Sequence, residues 1–326
     1  MRIATFNVEN LDEDAIGDDG SIQGPSLEER IKVLRPQLLR LNADILCLQE
    51  VHGQETENQP RTLKTLAKLL DETPYSEFHI KYTKTTANEA YDKRNLVIVS
   101  RYPFESISQI RNDLIPDLMY KTVTAVPPEA SAKKVSWERP ILHAVINVNG
   151  TSLHVLNLHL KSRLPTKIHG QTEEYHYKSV NGWAEGYFIS SMKRVGQALE
   201  ARMIIDEILE NNQDAYIIVA GDFNAEPGEI AVETIVGRVE NTANPELGFR
   251  SLLPCSNSIP KESRYTHLHE GHGNLLDHMV ISRAMMAKYI SAEIHNEGLH
   301  DESISFATDK KYPESDHAPF VVEFAI

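Results

Sequence analysis

Apolar residues follow two rhythms along the chain. Short unbroken runs read as strands covered on both faces, and stripes at spacings of three and four read as amphipathic helices. The strand-like runs are 2–8, Asp44 to Glu50, Phe78 to Tyr82, Asn95 to Ser100, Ile217 to Ala220, Asn274 to Ile281 and Ser315 to Phe324. The helical stripes are Leu27, Ile31, Leu34, Leu38 and Leu41, then Leu63, Leu66, Ala67 and Leu70 within 61–72, and Val195, Leu199, Ile205 and Leu209. Asn149-Gly150 between 138–147 and 151–158 predicts a hairpin. Arg101 to Phe104 reads as a turn. Residues 163–187 read as a polar segment ahead of the long helix. The acidic loop from Asp12 to Gly24 lacks EF-hand spacing and reads as solvated.

No linker, low-complexity tract or repeat interrupts this pattern, so a single domain over residues 1–326, of mixed strands and helices, is the expectation.

The polar residues at the strand ends change the picture. After Ile217-Ile218-Val219-Ala220, Gly221 is read as ending the strand, with Asp222 and Asn224 following at alternate positions. In extended chain, alternate side chains project the same way. A carboxylate and an amide then stand together on a rigid mounting. Other strand ends carry Asn7, Glu50, His159, Asp277, and Asp316 with His317. Each alone has a plain explanation: a surface acid, a satisfied buried imidazole, a turn former. The set together does not.

In Thr5-Phe6-Asn7-Val8-Glu9-Asn10, Leu48-Gln49-Glu50-Val51, Asn157-Leu158-His159, Gly221-Asp222-Phe223-Asn224, Leu276-Asp277-His278 and Ser315-Asp316-His317, the chain resembles the endonuclease/exonuclease/phosphatase superfamily. The pieces occur in that family's order and span residues 5 to 317. The resemblance implies an α+β fold, a four-layer αββα sandwich with the site at one edge of two packed sheets. It implies hydrolysis of phosphate esters with a divalent metal, magnesium, with manganese as the alternative.

By the same resemblance, Glu50 is the principal metal carboxylate, with Asn7 and Asp316 beside it, an oxygen set that suits a hard cation. Asp222 holds or deprotonates the attacking water, and Asn224 fixes that water or a phosphate oxygen. His317, protonated, stabilises charge on the phosphoryl group, and Asp277 orients it. His159 donates to the phosphate or protonates the leaving group. Asp92 is a candidate partner for the histidine, Arg139 and Lys161 are candidate phosphate donors, and His278 reads as packing.

Composition narrows the function. The chain has 326 residues, 41% of them hydrophobic and 25% charged, with net charge −14. That balance argues against a non-specific nucleic-acid coat, which needs Lys and Arg in excess. The two cysteines, Cys47 and Cys255, read as reduced packing residues. The N-terminus enters a strand without signal-peptide features, and no apolar run approaches a membrane span, so a cytoplasmic location is expected.

The distinctive segment is 163–192, where Arg163, Lys167, His169, His176 and Lys178 interleave with Trp183, Tyr187 and Phe188. Basic and aromatic residues so mixed suit a nucleic-acid strand, and an ordinary capping loop reads the same way. A nuclease-like phosphodiesterase is therefore the leading expectation. A phosphatase or phosphodiesterase for a small or lipid-derived ester is the alternative. A non-catalytic binding module of the same fold would not need the full polar set.

Overall fold

The structure, a computed structural model, describes residues 1–16, 22–173, 176–308 and 310–326. The Gly-Asp-Asp-Gly piece of the acidic loop, residues 17–20, lies outside them. The principal elements of the first half are β1 (Arg2–Leu11), α1 (Leu27–Leu41), β2 (Ile45–Val51), α2 (Lys64–Leu70), β3 (His79–Tyr82), β4 (Asn95–Ser100), β5 (Phe104–Ile110), β6 (Ile141–Val148) and β7 (Thr151–His159). Then follow α3 (Val180–Asn211), β8 (Tyr216–Asp222), α4 (Ile230–Val236), β9 (Leu253–Pro254), β10 (Asp277–Ile281), β11 (Tyr289–Ile294), α5 (Glu302–Ala307) and β12 (Phe320–Phe324).

Two six-stranded sheets form, in the orders β11-β12-β1-β2-β4-β3 and β9-β10-β8-β7-β6-β5. Within each, one central pair is parallel, β1 with β2 and β7 with β8. Alternation along the strands explains the layers. Ile3, Ile45, Cys47 and Ile98 of one sheet meet Ala144, Val155, Ile218 and Met279 of the other. The intervening residues Ala4, Phe6, Leu46 and Val97 turn outward to pack on Leu34, Leu38 and Leu41 of α1 and on α2. On the far side, Leu156, Leu158, Ile217 and Val219 pack on Ala201, Ile205 and Leu209 of α3 and on α4. The result is the α+β, αββα sandwich, and it explains why the strands read as unbroken apolar runs: both faces are covered.

Several boundaries differ from the sequence reading. The long helix begins at Val180, where Ser179 caps it by accepting from the Gly182 N–H, so Trp183, Tyr187 and Phe188 sit on its first turns and not in a loop. Leu199 is exposed, because the buried face of α3 runs through Ala198, Ala201, Ile205 and Leu209. Arg101 to Phe104 leads directly into β5, whose mostly polar, exposed residues hide it from an apolar search. Residues 54–56 and 59–62 pair as a small hairpin, which delays α2 to Lys64. Gly221 does not end β8. It lies inside the strand at φ +138°, and a Cβ there would sit 2.0 Å from the Leu158 carbonyl oxygen.

One buried polar network crosses between the sheets. Gln49 Nε2 donates to Asn157 Oδ1 at 2.7 Å, and Asn157 Nδ2 donates to the Leu48 and Val97 carbonyls at 3.0 and 2.9 Å. The residues after Gln49 and two beyond Asn157 are Glu50 and His159, so this tie fixes the two strand ends against each other. No helix among the described residues is long and apolar enough to cross a membrane.

Candidate active site

The ends of β1, β2, β7, β8 and β10, with the turn before β12, converge on a cleft of about 700 Å³. Asp222 is at its floor. Asp222 Oδ1 accepts from the Asn224 backbone N–H at 2.8 Å, and Oδ2 accepts from Asn224 Nδ2 at 3.0 Å and Asn7 Nδ2 at 3.2 Å. Asn224 stands at φ +49°, so it meets Asp222 through a left-handed turn and not through strand alternation. Burial alone would push the Asp222 carboxyl up. The hydrogen bond from His159 and the charge on His317 outweigh it and hold the group below the usual carboxylate range.

His159 Nε2 lies 3.3 Å from Asp222 Oδ2 and 3.5 Å from Glu50 Oε1. Its Nδ1 is buried with no hydrogen-bond partner. A proton on Nε2, facing two carboxylates, and none on Nδ1 is the arrangement those contacts favour. Burial, followed by the Arg139 charge, lowers its pKa.

His317 is the opposite case. Its Nδ1 is 2.7 Å from Oδ2 of the fully buried Asp277. Burial works against its charge, but Asp277, then Asp222 and Asp316, raise its pKa well above the ordinary value. Asp277 is fixed in turn by its position opposite Asp222 on β8 and by its N–H, which donates to Thr266 Oγ1 at 3.0 Å. His278, the next residue, turns away: its Nε2 is 2.8 Å from the Ala225 carbonyl, and its ring packs on Phe223.

Glu50, in a left-handed conformation at φ +60°, accepts from the Asn10 N–H at 3.1 Å. Burial and the neighbouring Asp316 push Glu9 up to about 8, and burial also raises Asp316, whose N–H donates to Glu9 Oε2 at 3.1 Å. Three carboxylates, Glu9, Glu50 and Asp316, thus line one cleft with Asn7.

The sequence profile of the endonuclease/exonuclease/phosphatase family matches residues 4–317. The chain belongs to that family. Solved structures of similar fold include the mannosyl-6-phosphatase Bt3783 of Bacteroides thetaiotaomicron, 15% identical over 100% of each chain with a TM-score of 0.58. Truncated TDP2 of Caenorhabditis elegans is 17% identical over 100% of this chain and 97% of its own, with a TM-score of 0.58. An AP endonuclease of Archaeoglobus fulgidus is 14% identical over 100% of each, with a TM-score of 0.52. Comparison with curated protein sequences gives no match. Members of this family are hydrolases acting on phosphate esters.

The remaining expected residues divide. Arg139 lines the cleft, with Nη1 donating to the Leu160 carbonyl at 2.8 Å. Lys161 does not. Its ammonium is taken up by Ser162 Oγ at 2.9 Å and the Leu164 carbonyl at 3.1 Å, burial pulls its pKa down to about 8, and it faces a neighbouring cleft. Asp92 also faces that neighbour, where its carbonyl accepts from the Gly53 N–H.

Residues that the sequence reading did not assign also line the family site. Arg94 Nε is 3.9 Å from Glu50 Oε1. His267 and His269 each reach Glu302 Oε2, at 3.0 and 3.1 Å, and His267, Glu302 and Asp316 hold donor atoms within 4.8 Å of one another. The signal was Thr266-His267-Leu268-His269, an alternation that puts both imidazoles on one side of a short strand.

Proposed function

We propose that this family member is a divalent-metal-dependent phosphodiesterase of nuclease-like chemistry, attacking the ester with an activated water. The observation that carries this reading is the contrast between two buried groups in one cleft. Asp222 is kept ionised by the hydrogen bond from His159 and the charge on His317, and His317 is kept cationic by Asp277. Groups pushed in opposite senses at short range form an acid–base assignment.

Asp222 receives the proton of the attacking water, whose oxygen bonds to phosphorus as the bond to the leaving oxygen breaks. A positioned base of this kind is worth about 10²- to 10⁴-fold. Asn224 and Asn7 hold the carboxylate in orientation. His317 places positive charge against the phosphoryl oxygens, and Asp277 keeps it there. His159, a neutral donor through Nε2, serves better as a hydrogen-bond donor to the phosphate than as an acid for the leaving group.

Asn7, Glu50 and Asp316 fit a hard cation, because they bring oxygen donors together at one cleft that Glu9 also lines. Magnesium, or manganese, held by these residues would supply positive charge against the phosphoryl and leaving oxygens.

Hydrolysis of bis(p-nitrophenyl) phosphate and p-nitrophenyl phosphate, side by side with magnesium, manganese or chelator, tests the reading. Metal-dependent diester cleavage that Asp222→Asn abolishes is the expected result. Monoester cleavage alone would replace it with a small-molecule phosphatase, which the net charge of −14 favours, and one structure of similar fold is a mannosyl-6-phosphatase.

A further inference from the structure

The first turns of α3 carry two aromatic rings to the mouth of the catalytic cleft. Trp183 and Tyr187 both line it, 45% and 42% exposed, with centroids 5.6 Å apart and planes within 16°. Their placement is rigid. Gly182 and Gly186, one residue behind each ring, press the helix onto the loop before it. A Cβ at Gly186 would stand 2.3 Å from the Thr166 carbonyl oxygen, and one at Gly182 would stand 2.7 Å from the Gln171 side chain. The Thr166 N–H donates to the Gly186 carbonyl at 3.0 Å, and Ser190 Oγ donates to the Leu164 carbonyl at 2.8 Å. With its back so locked, the helix holds both rings without a rearrangement that binding would have to drive.

A second feature is independent of the rings. A cleft of about 1060 Å³ adjoins the catalytic one and shares Arg94, Arg139 and Ser162 with it. It adds Lys93, Arg111, Lys134 and Lys161 to those arginines, against the carboxylates of Asp92, Asp113 and Glu138. Lys134 is paired with Asp117 at 2.5 Å, and cations outnumber acids six to three along the lining. On a chain of net charge −14 this is a local cationic track that starts at the catalytic cleft. Stacked ring faces beside the chemistry, continued by cations, are the two components that grip a single nucleic-acid strand: bases lie on the rings and the backbone follows the charge.

We infer that Trp183 and Tyr187 form a stacking platform for an unpaired nucleobase next to the scissile phosphate, and that Arg94, Arg139, Lys93 and Arg111 follow the flanking phosphates. This rests on the phosphodiesterase reading and narrows its substrate to single-stranded or frayed nucleic acid. A base within a duplex is stacked on both faces and offers neither ring a partner without extrusion.

The test measures anisotropy of a 5′-fluorescein-labelled eight-residue oligothymidylate against the Asp222→Asn protein with magnesium, so that binding is read without turnover. Trp183→Ala and Tyr187→Ala should each weaken binding about 5- to 150-fold, the range measured for loss of one base–aromatic stack. Trp183→Phe, which keeps a ring face, should restore most of it. The second tryptophan, Trp137, is buried with its indole N–H on Glu200 but lines the adjoining cleft, so the part of the quenching by the unlabelled strand that Trp183→Phe removes reports on Trp183.

Unchanged affinity in both alanine variants overturns the platform, as does tighter binding of duplex than of single strand. Displacement by mannose 6-phosphate but not by thymidylate would assign the rings to a sugar and overturn it too. The phosphodiesterase reading fails separately, if wild-type protein leaves bis(p-nitrophenyl) phosphate intact under every metal.

Discussion

Replacing Asp277 by Asn tests the polar arrangement most directly, because the change removes a charge at nearly constant volume. It also puts an amide NH2 where Oδ1 is buried without a hydrogen-bond partner, a cost that thermal melting reads separately. Asp277 is fully buried, accepts from His317 Nδ1 at 2.7 Å, and contacts neither Asn7 nor Glu50 through any hydrogen bond. Asparagine keeps the volume and an acceptor oxygen for the same N–H. What disappears is the charge that outweighs burial and keeps His317 cationic. A hydrogen bond to a charged group is worth about 1.5–3 kcal/mol net, so kcat for diester hydrolysis should fall about 10- to 150-fold. If Asp277 acts only through His317, the same change in a His317→Ala background should cost nothing further. The assay is therefore a double-mutant cycle in kcat under saturating magnesium, with thermal melting of all four proteins as the check on folding. Additive losses in the cycle, or a single Asp277→Asn variant within threefold of wild type, would refute the orienting role.

Three further outcomes follow from particular contacts. Gly221→Ala should destabilise the fold by about 3 kcal/mol or more, read as a lowered urea midpoint, since a methyl at φ +138° meets the Leu158 carbonyl. Glu50→Gln should weaken manganese binding, followed by isothermal titration with inert protein, by at least the 10-fold that loss of a mere supporting partner produces. His143, pulled down to about 4 by burial and then by its neighbour His154, is neutral in the fold and protonates near 6.5 when unfolded. The unfolded chain then binds more protons between pH 6.5 and 4, so stability falls as pH drops through that window, by about 2 kcal/mol at pH 5 relative to neutral. Urea titrations across pH should show that slope, and His143→Gln should flatten it.

The polar set was legible because this fold writes its chemistry into strand ends, where an apolar run must stop and a few polar residues stand out against it. Asn7, Glu50, His159, Asp222, Asp277 and His317 all follow or begin such runs, and all but Asp277 line one cleft, which Asp277 reaches from beneath through His317 Nδ1 at 2.7 Å. Lys161 looked equivalent by position, two residues past the end of β7. Nothing in the sequence revealed that Ser162 and Leu164, immediately after it, would consume its donors. The stretch 163–192 was legible as basic and aromatic but not as two structures. Its helix begins at Val180 among residues with no apolar stripe, because Gly182 and Gly186 pack by being small and leave no hydrophobic signature.

What a one-dimensional reading reaches least well is how residues from separate strands come to share a distance scale. Asn157 and Gln49 carry polar groups where apolar ones would fill the space between the sheets, and burying them is costly unless every group is paired. Here they are paired across the sheets, through Leu48, Val97 and each other. An apolar pair of similar volume would tolerate sliding of one sheet on the other, since dispersion contacts are not directional. Hydrogen bonds of 2.7–3.0 Å are directional and would break. The network therefore sets the register in which Glu50 from one sheet and His159 from the other approach to 3.5 Å. The polar residues inside the sandwich are the reason the polar residues at its edge can act together.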